Sequence, residues 1–357
     1  MFLSHSLDEK TDHIMKKVNI TDIAAKAGIS KTAVSFAFNN PERLSEATLK
    51  HILEIAAEMG YSPNPVARSM TTGRTGAIGL LVPQTINDII RNPHFPEFIE
   101  GIGDVCTHSG LSLMLVPPLK GSMRRAIDNA AVDGMITLGL EEEKDTMVVV
   151  RQYRVPFVTV DSDPIEGVPA VNVDDTGGAC DVMQHVLEQG HRHIAILAIR
   201  SGKQGHYKDY VGTLGARMNG YINALNKYGL DINGRSVRLL ECVSTEAGGQ
   251  EGFHALWKSR NKPTAIVAMS DIIAIGAMKA AIAMGVSVPS HLSIVGFDDI
   301  ALASLITPAL TTVSQPSIEK GKRAASLLVN LLHAQVPPIH EILPTKLVIR
   351  QSVARSV

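Results

Sequence analysis

From Gly76 onward, short apolar runs alternate with longer stretches whose apolar residues recur every three or four positions. AIGLLVP, LSLMLVPP, GMITLG, PFVTVD and AVNVD read as buried strands. PEFIEGIGDVCTHSG, SMRRAIDNAAV and TMVVVRQYR read as helices between them. After Asp174 the pattern continues with a helix from about Gly177 to Gln189 and the strand HIAILAI. GTLGARMNGYINALNKYG is a helix, SVRLLEC a strand and GGQEGFHALWKSR a helix. TAIVAMS, SIVGFDD and TTVSQ are strands, and IEKGKRAASLLVNLLH is the last long helix. Strands alternating with helices predict parallel sheets with right-handed crossovers and helices on both faces. The length suits two such sheets of about five to six strands.

The chain before Gly76 has the helical period alone. In NITDIAAKAGISKTAVSFAFN, Asn19 or Thr21 can cap a first helix through about Ala27, because either side chain can accept from free backbone N–H groups. Gly28 supplies the left-handed residue that ends it. Ser30 caps a second helix towards Asn39. Ile23, Ala24, Ala27, Ile29, Val34 and Phe38 join the two, which leaves Lys31, Thr32, Ser35 and Phe36 on the outer face of the second. This is a helix-turn-helix outline, a shape whose second helix fits the DNA major groove. Ser45 begins a third helix, SEATLKHILEIAAEMG, with Leu49, Ile52, Leu53 and Ala56 on one face and Gly60 at its end. In YSPNPVARSMTTGRTG, Asn64 can cap and Pro65 suits a first helical position, so a short helix through about Met70 follows, ending before Gly73. About two turns of helix do not persist alone in water, so this segment should order only against something else.

ITDIAAKAGISKTAVS, NPVARSM, SIVGFDD and TPALTTVSQP together make the chain resemble the lactose-repressor (LacI/GalR) family of bacterial transcription regulators, from about Val18 to the C-terminus. The resemblance implies an all-α helix-turn-helix headpiece and an α/β core of two Rossmann-like lobes, joined by three crossings as in periplasmic sugar-binding proteins. It implies 1–17 as a disordered tail or misassigned start, 18–62 as the DNA-binding domain, 63–75 as a hinge helix and linker, and 76–357 as an effector-binding and dimerisation core. A homodimer would set its recognition helices in successive major grooves of a pseudo-palindromic operator, and its hinge helices in the central minor groove. Carried over residue by residue, Lys31, Thr32 and Phe36 would face base edges. Thr21, Ser30, Ser35, Asn39, Thr48, Tyr61 and Asn64 would lie on the phosphate side. Ala67 and Arg68 would follow the minor groove, with Met70 as the apolar wedge that kinks it. Two positions depart from the pattern. Phe36 stands where many members carry Arg or His and cannot make the bidentate bond that reads guanine, so a different outer base preference is expected. Ala33 stands where some relatives have Thr, which removes one hydroxyl.

Charge agrees with this division. The formal net charge is −1, yet residues 15–76 hold eight Lys/Arg against five Asp/Glu, or +3. Residues 1–14 carry −2, which leaves −2 for the rest. A head of +3 is modest, so tight binding should need both heads of a dimer and weaken with salt. The N-terminus has charges where a secretory apolar segment would be needed, and Met15 before KKVNITD is a candidate start. No run of about 18 uninterrupted apolar residues offers a membrane span. Three separated cysteines, Cys106, Cys180 and Cys242, fit reduced thiols better than a disulfide framework, so a cytoplasmic location is expected.

Sites in open α/β sheets lie beyond the carboxyl ends of strands. Asp161 ends VTVD, Asp298 and Asp299 end IVGFDD, and Ser270 and Asp271 follow IVAM. In the family pattern Asp161, Arg217, Ser270 and Asp298 fall on effector-contacting positions, with His94 and Phe95 on a wall. Carboxylates, an Arg fork and an aromatic face suit a sugar, and the same set can hold a sugar phosphate or a nucleobase-like effector. Asp271 reads as a helix N-cap and Asp299 as a turn or cap residue. His191 and His193 lack metal-ligand spacing, and no phosphate loop, G-x-G-x-x-G or G-x-S-x-G supports an enzyme or a cofactor. A solute-binding protein of periplasmic type without a DNA role is the alternative, which the absent export signal disfavours. No leucine heptad follows Arg350, so a dimer is expected without a C-terminal tetramerising helix.

Overall fold

The computed structural model describes residues 18–139, 152, 155–200, 207–333 and 337–356. The tail and candidate start in 1–17 and the helix expected at TMVVVRQYR lie outside these residues, except for Gln152. The chain divides into two compact units, with the boundary between Thr75 and Gly76.

The first unit begins with α1 (Ile20–Ala27), capped by Asn19. Asn19 accepts from the N–H of Thr21 and Asp22, and Asp22 accepts from the N–H of Asn19 in return, a reciprocal box. Thr21 is therefore inside the helix. Gly28, at φ 68°, turns the chain into α2 (Lys31–Asn39), where Ser30 Oγ accepts from the Ala33 N–H. A 3-10 turn at Pro41–Arg43 leads to α3 (Glu46–Glu58), capped by Ser45. Ile23, Val34 and Ile52 are fully buried where α1, α2 and α3 meet. One expected core position differs. Leu53 is 42% exposed, and Ile55 takes its place because Ile52, Ile55 and Ala56 share the i, i+3, i+4 stripe. The next helix, α4 (Pro65–Thr72), is capped by Asn64 and stopped by Gly73 at φ 68°, so it runs two residues past Met70.

In the second unit, six parallel strands form one sheet in the order β11-β5-β4-β3-β1-β2. They are β1 (Ala77–Leu81), β2 (Ser112–Val116), β3 (Gly134–Leu138), β4 (Phe157–Val160), β5 (Ala170–Val173) and β11 (His340–Leu343). A second parallel sheet has four strands, in the order β7-β6-β8-β9: β6 (Ile194–Ile199), β7 (Val237–Cys242), β8 (Ala265–Ala268) and β9 (Ser293–Val295). This falls short of the five to six strands expected. The TTVSQ run becomes β10 (Thr312–Ser314) and pairs antiparallel with β12 (Lys346–Val348), touching β9 and its following loop only through isolated bridges. Neither β11 nor β12 was expected from the pattern. The chain crosses between lobes three times, after β5, after β10 and between β11 and β12.

Two helices pack against each other on the first sheet: α6 (His94–Ser109), which follows the short α5 (Ile86–Arg91), and the long helix Ser317–His333. They cross so closely that a Cβ on Gly101 would overlap the Ile318 carbonyl oxygen, and one on Gly321 that of Phe98. Only glycine permits backbones to approach this far. The contact sets the rotation of the long helix and hence where Lys320 points.

Candidate functional site

Between the two sheets lies a cavity of about 400 Å³. One wall comes from the first lobe: Pro83 and Gln84 after β1, His94 and Phe95 on α6, Leu138 and Gly139 after β3, and Asp161 after β4. The other comes from Arg200 after β6, Thr213 and Arg217 on the helix Gly212–Lys227, Ser244 after β7, Ser270 after β8 and Asp298 after β9. All six residues expected to meet an effector, His94, Phe95, Asp161, Arg217, Ser270 and Asp298, line this one cavity. They converge because carboxyl ends of parallel strands share one edge of each sheet.

The floor is a chain of charged and amide groups. Arg217 Nε donates to Asp175 Oδ1 at 2.8 Å, and Nη1 donates to the Met269 carbonyl at 2.6 Å and lies 3.5 Å from Asp298 Oδ1. The guanidinium carbon sits 3.8 Å from the centre of the Phe297 ring. Asp298 Oδ1 also accepts from Gln315 Nε2 at 2.6 Å, and Gln315 Oε1 accepts from Lys320 Nζ at 3.0 Å. That Gln315–Lys320 bond joins the two lobes, and within the first lobe Lys320 Nζ then donates to Asp161 Oδ2 at 2.6 Å. Arg217 is buried in this network, not a surface charge on its helix.

Burial raises the Asp175 carboxyl above its ordinary range, although Arg217 opposes this. Asp298 is likewise pushed up by burial and pulled back by Arg217. Burial also acts on Arg217, but the Asp175 and Asp298 carboxylates outweigh it and hold the guanidinium firmly protonated. His94 is driven well below its usual value by burial, then by Lys320 and Arg217, so it is neutral and exchanges a 3.1 Å hydrogen bond with Ser317 Oγ.

Asp161 has two notable features, the first shared with Asp298 and Asp299. Its φ is 51°, and that of Asp298 is 129°; such conformations cost a non-glycine residue on the order of 1–3 kcal/mol. Further, Asp161 Oδ1 is buried yet has no hydrogen-bond partner among the described residues. Lys320 thus holds one oxygen of the carboxylate, and the other is a buried, unpaired acceptor on a residue that lines the cavity.

Asp271 differs from expectation. Ser270 occupies the cap position of the helix Asp271–Ala283 without a side-chain cap bond, and Asp271 is its first residue. The Asp271 carboxylate turns into the core, accepting from the Ile300 N–H and the Thr312 hydroxyl. Burial raises its pKa, and the nearby Asp298 raises it further. Asp299, at φ 59°, pairs with Arg350 at 2.6 Å. His191 is structural, lying within hydrogen-bonding distance of Thr264, Ser293 and the Ala354 carbonyl. Among the described residues no group of three His, Cys, Asp or Glu side chains is placed to hold a metal ion. None of their helices is long and apolar enough to cross a membrane.

On the first unit, Lys31 and Thr32 are exposed on α2, and Ser35, Phe36 and Asn39 are half-buried. The Arg43 guanidinium lies 5.2 Å from the centre of the Phe36 ring. Several side chains expected at phosphates have internal partners: Ser30 and Asn64 cap helices, Thr48 shares a 2.8 Å bond with Ser45, and Asn39 donates to Ser35 at 3.3 Å. Tyr61 packs against Phe38 with ring centres 5.2 Å apart. Ala67 lies within α4, Arg68 is exposed, and Met70 is 84% exposed with Val66 at 63%.

The sequence profile of the bacterial regulatory proteins, lacI family, matches residues 19–64, and that of the periplasmic binding protein-like domain matches residues 183–353. An HTH-type transcriptional regulator of Mycolicibacterium smegmatis is 30% identical over 360 residues, covering 95% of this chain and 97% of that protein. The chain belongs to the lacI family. It is a DNA-binding transcriptional regulator, and its relatives are regulators rather than enzymes. Among solved structures, the transcriptional regulator CelR in complex with cellobiose is 26% identical with a TM-score of 0.69, covering 94% of this chain and all of that one. The lac repressor dimer bound to operator and the anti-inducer ONPF has a TM-score of 0.80 over 95% of this chain and 100% of that one. Its 23% identity establishes likeness of fold alone.

Within this lacI-family chain, sequence reasoning missed Asp175, Gln315 and Lys320, the groups that hold the expected residues in place. Asp175 reads as an ordinary acidic first-turn residue of the helix Asp175–Glu188. Lys320 reads as a charge on a solvated face, yet it is 0% exposed. A usable signal was present in the glycine beside it, Gly321, which marks the close-packed face of that helix.

Proposed function

We propose that this regulator binds a pseudo-palindromic operator as a homodimer and that a polyhydroxylated effector, a sugar or sugar derivative, occupies the cleft and changes operator affinity. The carrying observation is the unpartnered, buried Oδ1 of Asp161, a residue that lines a cavity of about 400 Å³, while Lys320 fixes the other oxygen. A buried carboxylate oxygen without a donor is costly until a hydroxyl supplies one. Arg217, Asp298, Ser270 and neutral His94 complete a polar lining, with Phe95 as its apolar wall. CelR, with cellobiose bound, supports a carbohydrate ligand.

On DNA, Lys31, Thr32 and Phe36 face the bases, while Thr21, Ser30, Ser35, Asn39, Thr48, Tyr61 and Asn64 lie along phosphates. Ser30 can still donate its hydroxyl proton while capping. Ala67, Arg68 and Met70 follow the minor groove. The near-complete exposure of Met70 supports its role as a wedge, since the helix itself offers that side chain nothing to pack on. Effector closure of the cleft shifts the separation of the two hinge helices, and linkage makes operator change effector affinity by the same factor.

The test is an electrophoretic and calorimetric series on the full chain and on residues 76–357, with DNA from upstream of the gene. The full chain should shift that DNA and the truncated chain should not. A screen of sugars, sugar phosphates and nucleobases should yield a ligand whose affinity changes when operator is added. Ligand binding that ignores operator would refute the coupling, and a shift surviving truncation would refute the headpiece assignment.

The homodimer has its own support. Leu302 and Leu305, three residues apart on the short helix Ala301–Leu305, are 38% and 77% exposed. Sedimentation velocity should find a dimer, and Leu305→Glu should move it towards monomer. If both sediment as monomers, the assembly proposed here is wrong.

A further inference from the structure

Phe36 sits on the outer face of α2, where a residue that reads guanine needs two hydrogen-bond donors in one plane, and a phenyl ring has none. The structure places such a fork beside it. Arg43, from the 3-10 turn that follows α2, holds its guanidinium 5.2 Å from the Phe36 ring centre, within the range of cation–ring attraction. Arg43 is exposed, and among the described residues its side chain makes no ion pair or hydrogen bond. Its acidic neighbour in sequence, Glu42, is exposed and unpaired with it. The contact with Phe36 is therefore the one interaction among these residues that locates the guanidinium.

We propose that Arg43, braced on Phe36, is a base-reading residue of this regulator and takes the two acceptors of a guanine edge in the outer half-site. Phe36 is then a platform for the reader. The inference rests on α2 entering the major groove. An arginine at a phosphate needs only its charge near the groove rim, and a flexible side chain supplies that unaided. An arginine at a base edge must hold a plane and a direction. A flat apolar ring reduces the freedom lost on binding and supplies that restraint. The turn delivers from a later position what α2 lacks at position 36, so the guanine preference expected to vanish with Phe36 is retained through its neighbour.

Operators are selected from random half-sites with the full chain, Arg43→Lys, Arg43→Gln and Phe36→Leu, and affinities are then measured by fluorescence anisotropy across a salt series. The wild-type chain should recover one guanine in the outer half-site. Arg43→Lys keeps the charge but not the fork, so the preference for that guanine should fall by roughly 5- to 150-fold while other positions keep theirs. Arg43→Gln should lose the preference as well, and Phe36→Leu should weaken it by less. Unaltered base preference in Arg43→Lys overturns the proposal, as does an equal loss on every operator in Arg43→Gln with a shallower salt slope, the signature of a phosphate contact. If the wild-type chain selects no operator, the assignment of α2 to the groove has failed, and the inference falls with it.

Discussion

Replacing Arg217 with leucine should destabilise the second unit by about 3–5 kcal/mol, because it strands buried carboxylates that now share one guanidinium. Asp175 loses its 2.8 Å partner, and Asp298 keeps only Gln315 and the more distant Lys320. The pH dependence separates this cause from a simple packing loss. In the native protein burial already raises Asp175 and Asp298. Without Arg217 both folded-state values rise further above the unfolded ones. A carboxyl raised in this way contributes most to stability below its unfolded pKa, and that contribution is lost as pH rises through the folded value. The deficit against wild type should therefore be greatest near pH 8 and shrink towards pH 5. Thermal melts of both proteins across this range read it directly. A deficit independent of pH would mean that the cost is packing against Phe297 and that the charge account is wrong.

Asp161→Asn should weaken effector binding by about 10- to 150-fold and leave operator affinity without effector unchanged. The asparagine can still accept from Lys320 through its single oxygen. The group at the Oδ1 position is then an amide N–H donor, where the wild-type protein has an unpaired acceptor. A ligand hydroxyl that donated to Oδ1 now meets another donor. Calorimetry with the ligand found in the screen, alongside anisotropy on operator, separates the two sites. Undiminished ligand affinity would show that the unpartnered oxygen is not a contact. Asp298 is a poorer choice for this experiment, since its carboxylate is embedded between Arg217 and Gln315 and its loss would disturb the floor itself.

Features that depend on neighbours in sequence were legible. Ser30, Ser45 and Asn64 cap helices, and Gly28 and Gly73 stop them at positive φ, because each needs only a side chain reaching two or three residues along its own backbone. Nine of the ten apolar runs read as strands lie in the two parallel sheets, eight of them within a residue or two, and β9 and β10 shrink to three residues each. The edge strands β11 and β12 were invisible. His340–Leu343 alternates exposed and half-buried positions and Lys346–Val348 is three residues long, so neither has the apolar run that marks a central strand.

By itself the sequence determined the caps, the strand–helix alternation, the basic head and the strand-end aspartates, all of which follow from local period and chain order. Tertiary structure alone decided that Lys320 is buried against Asp161, that Asp175 and Asp298 share Arg217, and that Arg43 lies over Phe36. Asp161 and Lys320 stand 159 residues apart and meet because glycines let two helices close until the lysine turns inward. Whether a charge is solvated or buried depends on what the fold packs over it, and no property of the residue or its near neighbours carries that information.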